Sequence, residues 1–470
     1  MGRRKGLTPA LTALGLAAAA TAGTLAEPAA LQPRMEPPEV QQLKEELLRT
    51  KSELLRAQTE LHQLRGALDG PALDEQRAAE VRAIVEDVLA DADLRASLLQ
   101  NGITGGYDNG FFLGSADGNF RLNVGGYIQT RFIYNYRDAP DRHRRGFEIA
   151  RTRLDFRGHV VSPNIEYRIL GEFSNADEGN MKLLDSWVRF RLDESWALRV
   201  GQFPLPFSRE FLVSPTRQLA VDRSIVNGSL NIGRSQGAEL TYVSRDFRIS
   251  GALSDGATDN IGGFGLVSPG GSPTNSPALD EDVEFALTSR VDWKLAGGWS
   301  QFSEFTSRPA EPFAAMLGAA VHYEKGEYGT FSDSNEWFLW TVDASLKFGG
   351  ANLYGAFIHG NLDTGSFDVD TYGFVVQGGW YFNENIELFG RYEWGQLTTD
   401  FAGVNFKALS VATVGVNYYF HDHRAKFTTD IGFGFREVDA PFAVESVGYR
   451  QDPEGADPQI VFRMQLQLQF

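Results

Sequence analysis

The chain has 470 residues, Lys+Arg 44 against Asp+Glu 61 for a formal net charge of −17, 12% aromatic residues, 50 glycines and no cysteine. The missing cysteine excludes a disulfide-stapled module, a thiolate metal site and a Cys-dependent enzyme. The acidic balance argues against a nucleic-acid binder, which needs a basic surface. The only long uncharged apolar stretch lies at the N-terminus, which argues against a bundle of membrane-spanning helices.

Arg3, Arg4 and Lys5 precede residues 7–26, an uncharged run of mainly Leu, Ala, Thr and Gly that ends in Ala20, Ala22, Thr24 and Ala26. A basic stretch, an apolar stretch and small residues in that order predict an export signal over 1–26, so the mature chain is expected to act outside the cytoplasm. A lone membrane anchor is disfavoured by Pro9, Gly15 and Gly23. A Pro-rich joint (27–39) follows. Val40, Leu43, Leu47, Thr50, Leu54, Ala57, Leu61, Leu64 and Leu68 then recur at alternating spacings of three and four. That is a heptad seam, and it predicts a periplasmic α-helical coiled coil over 40–68. Gly70 and Pro71 end it, and 72–100 reads as a less regular helical neck.

From residue 119 the period falls to two. At the end of the chain Ile460, Phe462, Met464, Leu466, Leu468 and Phe470 share one face, and Arg463, Gln465, Gln467 and Gln469 the other. A face of Gln and Arg is no dry core. The same split recurs in sixteen runs: 119–136, 146–159, 164–175, 183–192, 195–203, 236–244, 246–254, 283–294, 315–325, 338–348, 351–359, 371–382, 385–394, 409–420, 425–437 and 460–470. Long connections alternate with short ones, as external loops alternate with periplasmic turns in an outer-membrane barrel. One connection, 295–314, is long where a tight turn is expected. The fold class is therefore all-β, a 16-stranded antiparallel transmembrane β-barrel over 119–470 with an N-terminal coiled coil. A soluble double-sheet protein is the alternative, but sixteen strands would leave edges that closure removes.

The polar face of the early strands is rich in arginine: Arg121 and Arg131, then Arg151, Arg153 and Arg157, then Arg168, Arg189, Arg191 and Arg199. These nine are the predicted pore-lining residues. Two guanidiniums about 5 Å apart repel by roughly 3 kcal/mol at an effective dielectric near 20, so the cluster must recruit carboxylates or anions. Asp155, Glu166, Glu172 and Asp185 share the same faces, so two readings stand. One is a salt-bridged wall; the other is a track of unpaired guanidiniums that hold solute anions. The long connection 204–235 holds Arg209, Arg217, Asp222, Arg223 and Arg234 between apolar anchors, and a loop folded inward would narrow the channel. These five are the predicted constriction-loop residues; an ordinary external loop is the alternative.

Three motif matches carry less. Asp363-Thr-Gly-Ser366 starts like an aspartic-protease turn but has no second copy. Gly233-Arg-Ser-Gln-Gly237 spells a nucleophile elbow without the strand before it and the helix after it. His421 and His423 share a short turn, read as solvated, with no third metal ligand nearby. No enzyme, metal site or cofactor is expected.

Arg151-Thr-Arg-Leu-Asp-Phe-Arg-Gly158, Asn164-Ile-Glu-Tyr-Arg-Ile169, Leu198-Arg-Val-Gly-Gln-Phe203 with Pro204, Pro206 and Phe207, Ser224-Ile-Val226, Gly233-Arg234, Leu388-Phe-Gly-Arg-Tyr-Glu-Trp394, Gly415-Val-Asn-Tyr-Tyr-Phe420 and a terminal Phe470 together resemble the phosphate-selective porin O/P family. The resemblance spans about 119–470. It implies sixteen strands, a trimer, an inward third loop and passive permeation of anions along arginines. The chain departs from the family in its sparse barrel lysines and in acidic loop residues (Asp280, Glu281 and Asp282; Asp363, Asp368 and Asp370). The expectation is a homotrimeric outer-membrane porin, embedded in lipid, passing small hydrophilic solutes with a preference for phosphate-like anions. Two alternatives are a non-selective porin and an envelope protein that tethers the outer membrane to the cell wall through the coiled coil.

Overall fold

The structure is a computed structural model that describes residues 51–53, 55, 56, 58 and 59 and, from 102 onward, all but 109, 139–140, 174–178, 258–273, 278–282, 328–334, 402, 404 and 457. The chain divides into two compact units, Met1–Leu94 and Arg95–Phe470. In the first unit the described residues are helical and exposed, and Thr59 Oγ1 donates to the Leu55 carbonyl one turn back at 2.7 Å. The export signal, the Pro-rich joint, the helical neck and the rest of the predicted coiled coil lie outside the described residues, as do Asp280, Glu281 and Asp282.

The second unit opens with a hairpin, β1 (Ile103–Tyr107) and β2 (Phe111–Ser115). Sixteen strands follow: β3 (Arg121–Tyr136), β4 (His143–Val160), β5 (Ser162–Phe173), β6 (Met181–Arg191), β7 (Trp196–Pro204), β8 (Arg234–Val243), β9 (Phe247–Ser254), β10 (Val283–Ala296), β11 (Ala314–Gly326), β12 (Asn335–Lys347), β13 (Ala351–Asp363), β14 (Asp368–Asn383), β15 (Ile386–Thr399), β16 (Leu409–His421), β17 (Ala425–Gly434) and β18 (Ile460–Gln469). Each pairs antiparallel with the next, and β18 closes the ring on β3 from Ile460↔Tyr136 to Gln469↔Tyr127. Every run of alternation read from the sequence is one of these strands. Closure leaves the ring no edge to aggregate.

The faces are inverted relative to a soluble protein. On β18, Arg463 and Gln467 are fully buried while Leu466 and Leu468 are about half exposed, at 44% and 51%. The ring repeats this: Phe338, Val342, Leu353, Val376, Leu388, Val414 and Ile431 face out, and Asp343, Lys347, Asn352, Gln377, Glu387, Asn417 and Asp430 face in. Near the short-turn end, outward aromatics form one belt, with Trp196 against Tyr242, Phe247 stacked on Trp293, Phe313 near Phe348, and Tyr418 against Phe420. A second belt near the long-loop end includes Phe132 with Phe147 and Phe374 with Trp394. Two aromatic belts flanking an apolar band are what the two water–lipid interfaces select. The short turns and the C-terminus mark the periplasmic end and the long loops the external end.

The sequence reading needs two corrections, and one open point is decided. The connection between β13 and β14 is a tight turn of 364–367 rather than a long loop, because both strands run further outward than their alternation predicts. The 295–314 exception is an elaborated turn. It carries a 3₁₀ turn, Trp299–Ser303, and reaches into the lumen. His423 is buried rather than solvated, and its Nε2 contacts Glu304 of that turn.

Candidate functional site: an arginine-lined lumen beside two inward segments

The connection from β7 to β8 lies inside the barrel. It holds two short helices, α1 (Arg209–Leu212) and α2 (Ile225–Leu230), capped by Ser208 and Ser224, whose side chains accept from Phe211 N and Asn227 N. Wall residues hold it on several sides. Asp222 accepts from Arg131 Nη2 at 2.9 Å and from Arg151 Nη2 at 3.0 Å. Asn417 donates to Leu219 O at 3.0 Å, Lys426 to Gln218 O at 2.9 Å, Arg391 to Asp222 O at 2.8 Å and Arg290 to Phe207 O at 2.7 Å. Its apolar side, Leu205, Phe207, Ile225, Val226 and Leu230, packs on inward Trp337, Leu339, Ile358, Val375 and Leu397 and on Phe442 and Tyr449 of the last external loop. Gly373 lets α2 approach β14, since a Cβ there would lie 2.6 Å from Val226 and 2.8 Å from Leu230.

The elaborated periplasmic turn meets this loop from the other end. Arg209 Nη2 donates to Phe302 O at 2.9 Å, and Arg217 Nη1 to Ser303 Oγ at 2.7 Å. Thr306 donates to Glu387 at 2.8 Å, and Arg308 pairs with Asp422 at 2.9 Å. Burial would raise the Glu304 carboxyl, but the His423 hydrogen bond with the Lys347 and Arg217 charges outweighs it and brings it down to about 2. Burial pushes the His423 imidazole down to about 4.

Together the two segments occupy the side of the lumen bounded by β11 to β18 and leave space along β3 to β10. One cavity of about 730 Å³ is bounded by Asp155, Arg157 and Arg168 of the wall, Arg217 of the loop and Trp299 of the turn. A second, of about 860 Å³, runs past Arg189, Arg191, Arg199 and Glu239 to the turn at 193–195. Both are bordered by Leu212, Arg248, Arg290 and Asp292, so they adjoin.

The predicted arginines divide into three groups. Most form ion pairs: Arg121 with Asp108, Arg131 and Arg151 with Asp222, Arg153 with Glu172, Arg168 with both Asp155 and Asp185, Arg189 and Arg191 with Glu166, Arg199 with Glu239 and Arg234 with Asp185. For these the salt-bridged wall is the better description. Arg223 is committed to the loop itself, donating to the carbonyls of Glu210, Phe211 and Val213 at 3.0–3.1 Å. Arg157, Arg209 and Arg217 pair with no carboxylate among the described residues, and all three line the first cavity.

Two lining arginines escaped the sequence reading. Arg248 on β9 borders both cavities, lies 4.6 Å over the Trp299 ring and has no carboxylate partner among the described residues. Arg290 is held by Asp292 at 2.7 Å and Asp343 at 2.8 Å. The alternation that marks β9 and β10 also places Arg248 and Arg290 on the inward face, but each is the sole arginine of its strand and so forms no cluster in the sequence. The first cavity is lined by seven arginines against three aspartates, so its field is positive although the chain as a whole is acidic. Neither weak catalytic motif has its context. Ser235 begins a strand, and Asp363 ends one with its carboxylate accepting from Gly365 N at 2.7 Å.

Residues 122–266 match the family model of phosphate-selective porins O and P. The match covers the arginine-bearing strands and the inward third loop. Over that segment the chain is similar to the porin O/P family. The barrel is also similar to solved structures. The anion-selective porin from Comamonas acidovorans superposes with a TM-score of 0.52 at 16% identity, over 74% of this chain and 99% of that one. Salmonella typhi OmpF, solved with daunomycin, gives 0.50 at 12% identity, over 78% and 100%. At these identities the likeness is one of fold. No curated protein matches the chain. The family match and the closed barrel place this porin-like chain in the outer membrane and among channels.

Proposed function

We propose that the chain is an outer-membrane porin for passive diffusion of small hydrophilic solutes, with a preference for anions such as phosphate and small carboxylates, and with no catalytic step. The observation that carries this is the convergence of Arg157, Arg209, Arg217 and Arg248 on one cavity, free of carboxylate partners among the described residues. A guanidinium that already spends its donors on a carboxylate has little left for a solute, whereas Arg157, Arg217 and Arg248 keep donors for the space a solute would cross; Arg209 is buried and adds its charge while holding Ser345 and Phe302 O. The paired arginines act as a stiff wall behind them. The family match over the same strands and the name of the Comamonas relative support the same reading.

The porin is proposed to work as a homotrimer whose N-terminal extension lies in the periplasm, and whose predicted coiled coil assists assembly or cell-wall contact. Adding purified protein to a planar lipid bilayer is the test. Stepwise conductance increments are expected, and their absence from protein that remains a folded trimer on native electrophoresis would remove the porin reading.

A further inference from the structure

The hairpin β1–β2 stands outside the sixteen-strand ring, and of its described residues only Asp108 and Gly110 at its turn border the first cavity. β2 pairs with β3 from Phe111↔Val124 to Gly114↔Arg121. On the same side of β3, β18 reaches down to Gln469↔Tyr127, and Phe470 exchanges backbone hydrogen bonds with Gly126 at 2.9 Å. The hairpin therefore prolongs the barrel wall beneath the end of β18, in register.

Alternation carries across that junction. Phe111 and Leu113 stand opposite Val124 and Leu122 of the outward face, and Tyr107 stands opposite Phe111. On the inner face Phe112 lies 4.3 Å from the Arg121 guanidinium, and Asp108 pairs with Arg121 at 2.9 Å. Tyr107, Phe111 and Leu113 are each more than half exposed, and among the described residues the outward face is an apolar and aromatic patch with the Arg424 guanidinium 5.8 Å over the Tyr107 ring at its margin.

We infer that this hairpin is an interfacial anchor whose ligand is the headgroup layer of the periplasmic leaflet. Its outward residues continue the lipid-facing band across a hydrogen-bonded junction with β3, next to Phe470, which like Phe420 is an exposed aromatic at the periplasmic end. Depth follows from the backbone. β1 pairs with β2 alone among the described strands, so its other edge needs water for its N–H and C=O groups. Hydrocarbon forbids such an edge, whereas the headgroup layer accepts both a wet edge and amphipathic rings. The consequence is a fixed exit point for the chain that precedes Ile103. The inference needs the barrel to lie in lipid, but not any property of the lumen.

The native chain has no cysteine, so single labels are clean. The full chain carrying Phe111→Cys, with Leu113→Cys as a second position, is spin-labelled and folded into phosphatidylethanolamine/phosphatidylglycerol vesicles, with folding checked by heat-modifiable mobility. Collision rates with oxygen and with a water-soluble nickel chelate are compared with those at Phe382→Cys on the belt and at Asp117→Cys in the β2–β3 turn. Labels at 111 and 113 should match 382, with oxygen favoured, and differ from 117. Nickel exposure equal to that at 117 would overturn the anchor, as would spin–spin broadening between copies. If the label at 382 also reads as water-exposed, the barrel-in-lipid reading fails as well.

Discussion

Asp222 stands between Arg131 and Arg151, accepting from both at 2.9 and 3.0 Å, and so ties the inward loop to the first two strands of the ring. All three side chains are buried or nearly so, and each strand contributes one cation to a single loop carboxylate. Replacing Asp222 with Asn leaves Arg151 without its counter-charge and Arg131 with Glu148 alone, at 3.2 Å. Removing one partner of a buried pair costs on the order of 3–5 kcal/mol. Asp222→Asn should lower the heat-modifiability midpoint and raise single-channel conductance as the loop loosens. An unchanged midpoint and conductance would show that the pair does not position the loop.

Arg217 and Arg248 line the same cavity without a carboxylate among the described residues. Reversing both to Glu should reduce the anion-to-cation permeability ratio roughly threefold to tenfold, the change that about 1 kcal/mol of lumen potential produces. Reversal of Arg153, already committed to Glu172, should change selectivity less and stability more. Equal effects on selectivity would contradict the division between wall and free arginines.

Glu304 and His423 make the anchorage of the inward turn sensitive to acid. His423 falls from 6.5 to about 4 on burial, so the unfolded chain takes up its proton first as pH drops, and stability is lost between those values. Glu304 falls from 4.5 to about 2, so its contribution holds above 4.5 and is lost toward 2. Lys426 and Arg308 face the imidazole and Lys347 and Arg217 the carboxylate, which keeps both signs as stated. The melting midpoint should therefore fall on acidification from pH 7 to pH 4, and His423→Gln should flatten that slope. A parallel slope in the variant would assign the acid sensitivity to other groups.

Gly318 makes room for the Arg290–Asp343 pair, since a Cβ there would lie 2.2 Å from Arg290 Nη2 and 2.7 Å from Asp343 Oδ1. Gly318→Val should displace Arg290 toward the two cavities it borders, reduce conductance and destabilise the barrel by about 1–3 kcal/mol. Conductance equal to that of the parent would show that Arg290 lies off the passage.

The ring itself was legible because lipid and water impose opposite demands on neighbouring residues, and 460–470 states that contrast plainly. Legibility failed where the inward face meets the inward loop instead of water. Trp337, Leu339, Leu362 and Val369 are inward yet apolar, so the period of two fades there and the strand ends were placed short. Which arginines are neutralised was not readable either. Arg131 and Arg151 depend on Asp222, far along the chain, and only the folded loop brings it to them. The length of 295–314 flagged an irregularity, but inward folding has no periodic signature. β1 and β2 are five residues each, too short for alternation to register against Gly105 and Gly106.

The central claim is that unpaired arginines in a lipid-embedded barrel give the lumen an anion preference. Reversal potential across a planar bilayer in a potassium chloride gradient tests it most directly, with the full chain as the only conductor. The account predicts a potential whose sign shows chloride more permeant than potassium, and a shift toward zero for the Arg217→Glu, Arg248→Glu variant. A potential of the opposite sign in the parent protein would contradict it.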